Sequence, residues 1–108
     1  MYKLIFFVPE SHVELVKKAL FEQGAGKIGL YDCCSWQVLG QGQFRPLEGS
    51  NPFLGSQNEI EKVAEFKVEM VCDESVVADV LRELIKTHPY QEPAYEVYNL
   101  IDVEDLLK

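Results

Sequence analysis

From Tyr2 to Val8 large apolar side chains follow one another with only Lys3 between them, and the run stops at Pro9. Its β-branched and aromatic content predicts a strand that is apolar on both faces, hence central or covered. Ser11 then stands three residues before Glu14, the spacing of a capping box. Val13, Val16, Ala19 and Leu20 follow at helical spacing and Gly24 supplies the stop, so a helix of about three turns is expected.

Between Lys27 and Arg45 the pattern changes. Ile28, Leu30, Tyr31, Trp36, Val38, Leu39 and Phe44 are interrupted by Gly29, Gly40 and Gly42, which reads as a strand, a bend over 31–35, and a second extended arm ending at Pro46. The stretch from Gly42 to Gly55 sets Pro46, Pro52, Gly49 and the Asn51–Pro52 step among large apolar residues. Proline fixes φ and glycine opens positive φ, so this is a loop with few backbone solutions rather than a slack linker. Val63 to Val71 then alternates, with Phe66, Val68 and Met70 on one face and Glu65, Lys67 and Glu69 on the other. That pattern predicts a strand with one face in a core and one meeting water or a polar partner.

Asp73, Glu74 or Ser75 can cap a second helix, whose apolar stripe is Val77, Val80, Leu81, Leu84 and Ile85. Lys86 suits its last turn and His88–Pro89 ends it. Ala94 to Ile101 predicts a final strand, and 102–108 a short acidic tail with one helical turn.

The two halves share a plan of strand, helix and strand. The fold class is α+β: a ferredoxin-like βαββαβ sandwich over residues 1–108 as one domain, with an antiparallel sheet, two helices on one face and an extra hairpin arm. One sheet face is then left open. Ile5 and Phe7 point to it, and covering two such side chains is worth roughly 3 to 6 kcal/mol. Another subunit, or the 27–45 arm folded back, is the expected cover.

Composition narrows the function. The net charge of −8 excludes nucleic acid and anionic membrane as main partners, since phosphate binding needs clustered Lys and Arg. No apolar run approaches the roughly 18 residues of a membrane span, and the first run is too short for a signal sequence, so the expected location is cytoplasmic. Cys33, Cys34 and Cys72 make an odd count with an adjacent pair, which reads as free thiols in a reducing compartment. Neither GxxxxGK[ST] nor GxGxxG is present, and no serine lies in GxSxG.

Two stretches carry a family resemblance. Gly42, Phe44, Pro46 and Leu47 are followed by Gly49, Asn51, Pro52 and Gly55, and some forty residues later come His88, Pro89, Tyr90, Glu92, Ala94 and Tyr95. With Ile28–Gly29 and Cys34–Ser35, these resemble the domain inserted in many members of the Nif-three-like family, named for NGG-one-interacting factor three. The resemblance implies a PII/CutA-like fold, and CutA and PII proteins are trimeric modules. In full family members the flanking lobes supply a two-metal site. This chain is read as the insert without those lobes, so the presumed metal-dependent hydrolase activity is not carried over. Its histidines, His12 and His88, lie in no two-His metal spacing.

Candidate chemistry gathers at two places. His88, Tyr90 and Glu92 set an imidazole, a phenol and a carboxylate at a helix end, where a cationic His is favoured, or where the ring simply caps the last carbonyls. Arg45, Glu48 and Asn51 are the polar members of the shaped loop, able to hold an anion or polar ligand or to satisfy turn amides. The expected function is a non-enzymatic, self-associating, sensor-like or regulatory module. Arg45, Glu48, Asn51, His88, Tyr90 and Glu92 would be its ligand site, for a small molecule or a protein partner, with no cofactor. A trimer is favoured over a dimer. The alternative is a metal-binding or metal-dependent protein using His88, Glu92 and Cys33 or Cys34.

Overall fold

The computed structural model describes residues 1–108. Strand β1 (Tyr2–Pro9) lies inside a four-stranded antiparallel sheet with β2 (Trp36–Phe44), β3 (Glu61–Cys72) and β4 (Tyr95–Asn99), in the order β2-β3-β1-β4. Helices α1 (Val13–Glu22) and α2 (Val77–Thr87) supply the crossovers, and a single turn, α3 (Val103–Leu106), follows β4. This is the ferredoxin-like α+β fold. No helix is long and apolar enough to cross a membrane.

Register sorts the side chains into faces, because directly paired residues point the same way. Leu4 pairs with Met70, Phe6 with Val68 and Val8 with Phe66. These meet Val16 and Leu20 of α1 and Val80 and Leu84 of α2 in the core. The opposite face carries Ile5 and Phe7, paired with Glu69 and Lys67 of β3, which in turn pair with Trp36 and Val38 of β2.

The cover of that face differs from expectation. The 36–44 arm does not fold back over it but extends the sheet beside β3. Ile5 is nonetheless only 7% exposed, flanked across the strands by Glu69 and Glu96, and Phe7 is half-buried on a cavity shared with the 45–54 loop. Ile5 is therefore covered within one chain, and Phe7 is left half-buried, facing the cavity that the shaped loop also lines. What stays open on this face is Trp36, Val38 and Tyr98, at 59, 44 and 50% exposure.

Local chemistry also departs in places. The first part of the 27–45 stretch is no strand: Ile28 and Tyr31 exchange both backbone bonds across a tight turn. No capping box closes at α1, because the chain first makes a 3₁₀ turn over Glu10–His12. Ser11 bonds the His12 ring at 2.8 Å instead, and Glu14 pairs with Lys17. Before α2, the Asp73 carboxylate accepts from the Ser75 amide and hydroxyl, which holds its carboxyl below the usual range and shapes the turn before the helix. Gly24 does end α1, at φ 103°.

Candidate functional site

The loop between β2 and β3 and the turn between α2 and β4 meet at one end of the sheet. Asn51 N–H donates to the Gln91 side-chain carbonyl at 2.9 Å, joining residues forty positions apart. Within the loop, Ser50 donates its hydroxyl to the Leu47 carbonyl and Asn58 its amide to the Pro46 carbonyl. These bonds hold open a cavity of about 380 Å³, within the range of about 300–1,000 Å³ usual for small-molecule sites.

Four rings wall it: Phe7 from β1, Phe44 from the end of β2, Phe53 from the loop and Tyr90 from the turn. The Tyr90 centroid stands 6.0 Å from that of Phe44 and 6.3 Å from that of Phe53, both tilted. His12 sets its ring edge-on against Phe53 at 5.4 Å, so the start of α1 supports the loop.

The polar side of the wall is Glu65 of β3. Tyr90 donates its hydroxyl to Glu65 Oε2 at 3.3 Å. Burial pushes the Glu65 carboxyl up, the phenol bond only partly opposing this, and Tyr90 is itself pushed up to about 12 by burial and by the neighbouring carboxylate. Gly42 of β2 makes the placement feasible, since a Cβ there would land on the Glu65 carboxylate.

Of the residues singled out in the sequence, Arg45, Tyr90 and Glu92 line this cavity, while Glu48 and Asn51 sit exposed on the loop outside its wall. Asn51 contributes only its backbone. The His88 ring lies behind the site, 6% exposed. Tyr90 N–H donates to Nδ1 at 3.1 Å, which leaves the proton on Nε2, and Nε2–H donates to the Phe7 carbonyl at 2.6 Å. Burial lowers its pKa, against the expectation of a favoured cation, and the ring bonds β1 rather than the last carbonyls of α2. Phe7, Phe44, Phe53 and Glu65 were not legible as site residues. A glycine inside a strand, Gly42, was the one available signal for Glu65.

The sulfur and imidazole groups considered for a metal do not converge. Cys34 donates its amide to the Gly26 carbonyl near the end of α1, whereas His88 is bonded to β1, and no three His, Cys, Asp or Glu side chains cluster. All three cysteines are free thiols.

The fold is that of a ferredoxin-like module, PII/CutA-like in its arrangement. The chain is 44% identical over 107 residues to a GTP cyclohydrolase 1 type 2 homolog of Halalkalibacterium halodurans, which covers 99% of this chain and 29% of that protein. A solved Bacillus cereus protein related to NIF3 superposes with a TM-score of 0.80 at 38% identity, over 94% of this chain and 26% of that one. CutA1 of Pyrococcus horikoshii superposes with a TM-score of 0.66 at 21% identity over 99% of this chain and 91% of that one, a likeness of fold alone. No family model matches. The chain thus spans under a third of the length of the curated relatives it matches, and over that span it resembles the inserted domain of the Nif-three-like family.

Proposed function

We propose that residues 1–108 act as one self-associating, ligand-binding module of the cytoplasm, without chemistry of its own. The observation that carries this is the cavity. Two distant segments are tied together by the Asn51–Gln91 bond around a space walled by rings, with the partly buried Glu65 carboxylate on its wall. Such a space, braced by side chains that are already bonded, suits recognition more than turnover, because in its one phenol–carboxylate pair, Tyr90 and Glu65, the phenol is pushed up to about 12 and keeps its proton. The open face bearing Trp36, Val38 and Tyr98 is the surface through which copies associate. The PII/CutA resemblance favours three copies.

The relatives' name speaks of cyclohydrolases, and it describes proteins of which this chain spans 29% or less. Cyclohydrolase activity forms no part of this proposal. Light scattering beside native mass spectrometry tests it. An oligomer, trimeric by preference, that carries a small-molecule adduct or takes one up supports the module. A monomer would remove self-association, and a chain that binds no small molecule would remove the ligand.

A further inference from the structure

Of the charged side chains lining the cavity, Arg45 and Glu92 are exposed, and Glu65 is the partly buried one whose hydrogen-bonding capacity is left over. Its only donor is Tyr90 at 3.3 Å, longer than the roughly 2.5–3.0 Å of a good O–H···O bond. None of the chain's ion pairs includes Glu65. A carboxylate partly withdrawn from water beside phenyl rings gains from further donors, and two parallel N–H groups match its geometry. The rings of Phe44, Phe53 and Tyr90 favour a flat partner. Arg45 and Glu92, both exposed, stand at the mouth with opposite charges, so the selective contact is the inner one.

Resting on the reading of the cavity as a ligand site, we propose that its ligand is a planar nitrogen heterocycle with an amidine- or guanidine-type edge. A ring N–H and an adjacent amino group on that edge donate together to the Glu65 carboxylate, between the aromatic walls. Gly42 is then a positioning residue, since its missing side chain gives the carboxylate its place.

The probes are 2-aminobenzimidazole, 2-methylbenzimidazole and naphthalene-2-carboxylate, titrated into the full chain and followed by NMR at the cavity residues. The expected result is that 2-aminobenzimidazole binds roughly tenfold or more tightly than either analogue, the worth of one charge-assisted hydrogen bond. Glu65→Gln, which replaces one acceptor oxygen with a donor, should erase that preference. Gly42→Ala, which keeps the carboxylate but displaces it, should do the same with the fold intact by circular dichroism. Equal or tighter binding of the analogues overturns the ligand class while keeping the cavity as a binding site. Cavity resonances that move with no probe overturn both.

Discussion

The His88 ring receives a hydrogen bond at Nδ1 from Tyr90 and gives one at Nε2 to Phe7, so a proton added at Nδ1 breaks a bond and charges a buried group. Its pKa is lowered from the ordinary 6.5 chiefly by burial, the bond to the Phe7 carbonyl opposing this and the charge of His12 adding to it. Between the depressed folded value and 6.5 the unfolded chain therefore binds more protons than the folded one, and stability falls as pH drops through that window. Glu65 acts with the opposite sign: its raised carboxyl favours the folded state at acid pH and costs stability as pH rises through its folded value. Urea titrations across about pH 5 to 7.5 should show the His88 slope in the wild type and a flatter curve in His88→Gln, which can still donate to Phe7 without titrating. An unchanged slope would assign the pH dependence elsewhere. His88→Ala should cost about 2–3 kcal/mol at neutral pH, since it leaves the Phe7 carbonyl unpaired beside a void.

Along α2 the sequence pattern and the packing separate by one position. Val77, Val80, Leu81, Leu84 and Ile85 form one stripe by spacing, yet Leu84 is fully buried and Ile85 is 53% exposed. A stripe wider than the contact it serves leaves its edge in water, and periodicity does not say which edge. Leu84→Ala should cost about 2–5 kcal/mol in chemical denaturation, whereas Ile85→Ala should stay within about 0.5–1 kcal/mol. Comparable losses would mean that the exposed edge is covered in solution. The same limit explains what the sequence told and withheld elsewhere. The alternation over Val63 to Val71 placed Phe66, Val68 and Met70 on the core face, because a period of two leaves no other choice. For the same reason it set Glu65 on the face meeting water or a polar partner, without naming the partner. Only the crossing of β2 at Gly42 and the arrival of Tyr90 from beyond α2 make Glu65 part of a site, and these are tertiary events. Capping signals at Ser11 and Asp73 were real turn chemistry but served the turns before the helices. The 42–55 loop was legible as shaped, and the bonds that shape it come from Ser50 and Gln91 rather than from Glu48.

At the scale of the molecule, a net charge of −8 on a chain of 108 residues opposes the association proposed through the open sheet face. The two forces differ in their response to salt. Repulsion between like-charged copies is screened as the Debye length shortens from about 10 Å at 0.1 M to about 3 Å at 1 M, while burial of Trp36, Val38 and Tyr98 is not weakened. The mass measured by light scattering at fixed protein concentration should therefore hold or rise with added sodium chloride, and Val38→Asp should abolish the larger species at every salt concentration. The alternative is association through the charges of the same face: Lys3 and Lys67 lie there with Glu69 and Glu96, and Lys3 already approaches Glu69 at 4.0 Å. An interface built from those groups across copies would weaken with salt. A mass that falls as salt rises would thus reassign the contact from the apolar residues to the ionic ones, with the cavity at the end of the sheet unaffected by either outcome.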